Sequence, residues 1–106
     1  MLTQELINSI DLIDNNLKNY FSNISQTDLE IILSRMAKLT EEVWELNSDV
    51  LQKFYKRRNW EFNEENLKLE FADVIITTLL LAKSLNIDVN ETLKVKIDKI
   101  RIRGGV

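Results

Sequence analysis

The chain is expected to be all-α, one domain over residues 1–106 built as a bundle of about four helices. Three observations carry that expectation. Proline is absent and the only glycines are Gly104 and Gly105, so the residues that tight turns and hairpins need are missing. Apolar residues recur at intervals of three and four along four separate stretches, not in alternation. The apolar fraction, 44%, suits a folded globular chain and is too high for a disordered one. A chain of 106 residues can bury only a modest core, so association with further copies would add to it.

The elements follow in order. Leu2, Leu6, Ile10, Ile13, Leu17 and Tyr20 form one face of a first helix whose other side is Asp, Asn and Lys. It reads as a packing element with no chemistry of its own. Thr27, with Glu30 three positions on, is a capping box that opens a second helix running to about Phe54. Its expected core stripe is Ile32, Met36, Leu39, Val43, Leu46 and Val50, and Leu33, Trp44 and Leu51 widen the apolar surface beyond half the circumference. Such an excess suits a dimer interface or a bundle centre. On the other flank, about 110° from the middle of that stripe, run Lys38, Glu42, Glu45 and Asp49, with Glu41 just outside.

Lys53, Lys56, Arg57 and Arg58, then Trp60 and Phe62, occupy the next stretch. They read either as a helix end with favourable cations and a loop held by two aromatics, or as a basic-aromatic loop covering an anionic aromatic ligand. Asn63, with Glu64 and Glu65, starts a third helix. Over 67–85 it carries two apolar stripes, Leu67, Phe71, Val74, Thr78, Leu81 and Leu85 on one side and Leu69, Ala72, Ile76 and Leu80 nearly opposite. Between them lies a narrow polar line, Asn66, Glu70, Asp73 and Thr77. Asn86 is a plausible left-handed stop, and Asp88 with Glu91 caps a fourth helix. Val89, Leu93, Ile97 and Ile100 are its expected inner face.

Composition removes several chemistries. A net charge of −3 argues against a generally basic nucleic-acid binder. Without cysteine there is no disulfide framework, thiolate catalysis or cysteine zinc cluster, and without histidine there is no imidazole base. The first residues lack a basic region followed by an apolar run, and the longest apolar stretch, 74–82, is far short of a membrane span. A soluble cytoplasmic protein without a membrane partner is expected.

The constellation that carries chemistry is Glu42 with Glu45 on the second helix and Glu70 with Asp73 on the third. Residues three apart share a helix face, and two antiparallel helices on a short loop can bring the pairs together. Two unit charges about 4 Å apart cost on the order of 4 kcal/mol even at an effective dielectric of about 20. A hard divalent cation removes that repulsion. All-oxygen ligation suits Mg²⁺ or Mn²⁺, and the missing histidine and cysteine disfavour zinc and a di-iron site built on Glu-x-x-His.

Lys38-Leu-Thr-Glu-Glu-Val-Trp-Glu-Leu46, then Glu70-Phe-Ala-Asp73 and its apolar continuation, then Lys96-Ile-Asp-Lys-Ile-Arg-Ile-Arg103, resemble the MazG-type nucleotide pyrophosphohydrolases of the all-α NTP pyrophosphatase superfamily. The resemblance covers about residues 33–103. It implies Mg²⁺ held by Glu42, Glu45, Glu70 and Asp73, with Mn²⁺ as a substitute. It implies hydrolysis of a nucleoside triphosphate to the monophosphate and pyrophosphate, with Glu41 holding a water or second metal and Glu41 or Glu45 taking the proton. It makes Lys96, Lys99 and Arg103 candidates for phosphate contact. Lys38, on the acidic flank, and Trp60, in the basic-aromatic loop, are candidates for further substrate contact, and the excess apolar surface leads us to expect a homodimer or homotetramer. Two positions depart from the family pattern: Trp44 stands where glycine is frequent, and Ile100 where asparagine is frequent. The rival readings are a nucleotide- or metal-binding regulator that has lost turnover, and a structural helical oligomerisation module with solvated carboxylates.

Overall fold

Four α-helices make up the chain in a computed structural model that describes residues 1–23, 27–55 and 62–104: α1 (Gln4–Asn23), α2 (Asp28–Tyr55), α3 (Glu64–Ser84) and α4 (Val89–Gly104). Each start is local chemistry. The Leu6 N–H donates to Thr3 Oγ1 at 3.1 Å. The capping box of α2 closes in both directions, the Glu30 N–H donating to Thr27 Oγ1 and the Thr27 N–H to Glu30 Oε1, each at 3.2 Å. Asn63 Oδ1 accepts the Asn66 N–H at 3.1 Å, and Asp88 Oδ1 accepts the Glu91 N–H at 3.2 Å. Asn86 turns the chain after α3 with φ 56°, the left-handed region in which asparagine is tolerated, and the Asn86 and Ile87 N–H groups satisfy the Lys83 and Ala82 carbonyls.

α2 and α3 form an antiparallel hairpin of constant register. Arg35 Nη1 donates to the Leu80 carbonyl at 2.9 Å, Asn66 Nδ2 to Asp49 Oδ2 at 2.7 Å, and the Lys53 ammonium lies 5.7 Å from the Phe62 ring centre. Stepping between these contacts sets Lys38 opposite Thr77, Glu42 opposite Asp73, and Glu45 opposite Glu70. α1 crosses the far end of the hairpin, where Ile10 packs on Leu79 and Leu80, with Leu2, Leu6, Leu17, Ile76 and Val89 around them.

The three helices meet at an ion pair that the periodicity of α1 hides. Asp14, 1% exposed, accepts from Arg35 Nη1 at 2.7 Å and also pairs with Lys18 at 3.2 Å. Arg35 Nη1 reaches the Ser84 hydroxyl as well, while its Nε and Nη2 are buried without partners.

Which stripes turn inward differs from the sequence expectation. In α2 the buried residues are Ile31, Arg35 and Glu42, whereas Met36 and Val43 of the expected core stripe are exposed. In α3, Leu67 is buried but Phe71, Thr78 and Leu85 of the same stripe are open, and the polar line faces α2 with Thr77 buried. Ile13 and Tyr20 of α1 are exposed. α4 buries none of its residues: Val89 touches the core, but Leu93 and Ile100 remain open. The physical reason is the same in each case: periodicity marks apolar faces without choosing which one the same chain covers.

Candidate metal centre

The hairpin register brings the predicted acids together. One carboxylate oxygen from each of Glu42, Glu45 and Glu70 lies within 4.8 Å of the other two. Oxygens ligating one Mg²⁺ at about 2.1 Å stand roughly 3 to 4 Å apart, so small rotamer shifts bring the three onto one ion. Glu42 is 5% exposed, and its Oε2 and that of Glu70 are buried atoms without a hydrogen-bond partner. Buried carboxylate oxygens left bare are costly unless a cation completes them. The donor set is all oxygen, so these residues fit a hard divalent cation.

Electrostatics point the same way. Desolvation, then repulsion from Glu42 and Glu41, pushes the Glu45 carboxyl above its ordinary pKa. Glu70 is pushed up by desolvation and then by Glu45 and Asp49. Lys38 is pushed up, first by its hydrogen bond to Glu42, which lies 2.9 Å from the ammonium; Glu41 lies 3.6 Å away.

The remaining predicted residues divide. Asp73 sits in register opposite Glu42 but is exposed and outside the three-oxygen cluster. Glu41 is exposed at the rim. Lys96, Lys99 and Arg103 are exposed on α4, and among the described residues no hydrogen bond or ion pair joins them to the acids. Trp60 lies outside the described residues. Trp44, 72% exposed, is on the opposite side of α2 from Glu42 and so does not line the groove. Sequence reasoning passed over the rung formed by Asp49 and Asn66, although both stood on the polar lines. Their helical step beyond Glu45 and before Glu70 was the available signal.

A pocket of about 320 Å³ lies elsewhere, between α1, the end of α3 and the start of α4. Leu6, Ile10, Leu79, Ile87 and Val89 line it, with the Asp11–Lys83 ion pair at 2.7 Å, and it shares no residue with the acidic cluster. The acidic cluster lies in the groove between α2 and α3, not in that pocket.

An all-α hairpin that sets paired acids of two helices against each other defines a class of helical proteins suited to binding a divalent cation. The MazG-like family model matches residues 33–104, and the chain belongs to that family. Searches of curated proteins and of solved structures found no match. The matched span takes in α2 from residue 33 onward, α3 and α4, and leaves α1 and the first turn of α2 outside. No helix among the described residues is long and apolar enough to cross a membrane.

Proposed function

We propose that the chain is a Mg²⁺-dependent nucleoside triphosphate pyrophosphohydrolase, with Mn²⁺ as a substitute, releasing the monophosphate and pyrophosphate. The observation that carries this is Glu42: a buried carboxylate with a bare oxygen, one turn from Glu45 and across the groove from Glu70, in a MazG-like chain. Glu42, Glu45 and Glu70 would hold the cation, with Asp73 joining after a change of rotamer. Such a cation supplies charge neutralisation on the phosphate oxygens as the anhydride bond breaks.

The chain's own residues do the rest. Glu45, within the cluster, and Glu41, at its rim, are the two candidate bases. Lys38 lies beside the cluster and takes phosphate oxygens directly. Lys96, Lys99 and Arg103 lend further positive charge from α4, and Trp60 a stacking surface for the base. The working form is a homodimer or homotetramer.

The test is pyrophosphate release from a panel of nucleotides with Mg²⁺ or Mn²⁺. Changing Glu42, Glu45, Glu70 or Asp73 to its amide keeps the size and removes the charge, so turnover falls by orders of magnitude while the chain stays folded. Binding of Mg²⁺ and nucleotide with no pyrophosphate from any substrate overturns the enzyme reading and leaves a regulator.

A further inference from the structure

The groove contains a cation of its own. Lys38 stands one turn before Glu42 on α2 and puts its ammonium 2.9 Å from Glu42 Oε1 and 3.6 Å from Glu41 Oε1. The two partners are unlike: the Glu42 side chain is walled in, whereas the Lys38 side chain is 55% exposed on a flexible stem. Three other lysines of the hairpin are engaged elsewhere, Lys53 with Glu64 and the Phe62 ring, Lys68 with Glu65, and Lys83 with Asp11. Among the described residues, Lys38 alone forms an ion pair with an acid of the cluster.

We propose that Lys38 is a phosphate-binding residue held in reserve by Glu42, neutralising that buried carboxylate in the metal-free protein and passing to the polyphosphate once a divalent cation takes its place. The inference rests on the reading of Glu42, Glu45 and Glu70 as a cation site.

A buried carboxylate stripped of its only counter-charge is strongly unfavourable, so Glu42 has one cation at all times and exchanges one for another. The divalent ion repels the ammonium it replaces. Lys38 does not leave the site, because its backbone is fixed on α2 at the closed end of the groove, opposite Thr77. The freed ammonium therefore sits beside the cluster with three donors and no acceptor, which is what a triphosphate oxygen needs. Cation and anion are then coupled through one side chain, each binding more tightly when the other is present, and by linkage to the same degree in both directions. A lysine that merely added positive charge to the rim would weaken the metal and strengthen the anion without adding to their coupling.

Mn²⁺ binding, followed by electron paramagnetic resonance of the free ion, separates these cases with no need for turnover. The wild type, Lys38→Met and Lys68→Met are titrated alone and with a nucleoside α,β-imidotriphosphate, which resists cleavage at the bond in question. Lys68→Met makes the same change in net charge away from the cluster. Without the analogue, Lys38→Met is expected to bind Mn²⁺ about three- to tenfold more tightly than the wild type, tenfold being a latch worth about 1.4 kcal/mol. The analogue tightens Mn²⁺ binding in the wild type and in Lys68→Met, and does so several-fold less in Lys38→Met. Equal or weaker Mn²⁺ binding by Lys38→Met, or equal enhancement by the analogue in all three, overturns the latch and leaves the metal site standing. No Mn²⁺ binding by the wild type overturns both.

Discussion

At the scale of single residues, the groove is a place where the folded chain is under electrostatic stress. Glu45 and Glu70 both have carboxyl pKa values raised first by desolvation and then by neighbouring acids, Glu42 and Glu41 for Glu45, Glu45 and Asp49 for Glu70. A carboxyl with a raised folded pKa holds its proton more tightly in the folded state than in the unfolded one. The sign follows: without metal, these two groups make stability fall as pH rises from the ordinary carboxylate value through their raised folded values, and leave it level above. Glu70→Gln removes part of that fall. Denaturant midpoints in chelator should therefore converge for wild type and Glu70→Gln at acid pH and favour the variant at neutral pH, and Mg²⁺ should reverse the order. A wild type as stable as the variant in chelator at neutral pH counts against the stress. Asp14 is the contrasting case. Its loss leaves Arg35 buried without its carboxylate, so Asp14→Ala should cost about 3–5 kcal/mol, seen as a lower thermal midpoint, while Asp14→Leu combined with Arg35→Met costs less than Asp14→Ala. The acids of the groove were legible in the sequence because a carboxylate between two apolar stripes is unusual on any helix. The Asp14–Arg35 pair was not, since neither residue breaks the apolar period around it and the contact spans three helices.

At the scale of elements, helix boundaries were legible because their causes are local. Thr27 with Glu30, Asn63, Asn86 and Asp88 all do in the structure what their residue types favour at helix ends. Which face each helix turns inward was not legible, because it depends on a partner helix. α2 presents the line of Arg35, Glu42 and Asp49 to α3 and leaves Met36 and Val43 outside. α4 is the extreme case: it reads as an amphipathic helix and buries no residue. Its basic residues contribute to the site, on the proposed reading, as phosphate-binding charge and not as part of the cation site. Arg103→Ala should then weaken triphosphate binding by an amount set by charge-assisted bonds of about 1.5–3 kcal/mol each, with the Mg²⁺-dependent rise in thermal midpoint unchanged. Calorimetric titration with a non-cleaved nucleotide and a melting curve with Mg²⁺ alone read the two halves separately. Loss of the Mg²⁺ effect in Arg103→Ala would place α4 in the cation site and overturn that division.

At the scale of the whole molecule, one copy is too open for its length. The radius of gyration is 16.8 Å, with principal extents of 46 × 42 × 24 Å, where a compact chain of about 100 residues has roughly 13 Å. The exposed apolar residues are ordered, not scattered. On α2, Leu29, Met36 and Val43 recur every seventh residue, with Leu33 and Phe54 on the companion row, and on α3 Phe71, Ile75 and Leu85 form a similar seam. At about 100° per residue, Met36 and Val43 lie about 100–120° around α2 from Glu42, and Phe71 and Ile75 about 100–140° around α3 from Glu70, so the seams and the acids occupy different faces of the hairpin. Two hairpins placed seam to seam make a four-helix bundle, which covers these stripes and leaves both acidic grooves open to solvent. Light scattering at micromolar concentration should give at least a two-chain mass. Charges buried in such a seam have no partner, so Leu33→Glu with Ile75→Glu should shift the mass to one chain and lower the thermal midpoint. Because Leu33 and Ile75 lie on different faces from the acids, that variant should still bind Mn²⁺ where it remains folded. A one-chain mass for the wild type sinks the assembly, whereas loss of Mn²⁺ binding by a folded one-chain variant shows that the groove needs its neighbour to take shape.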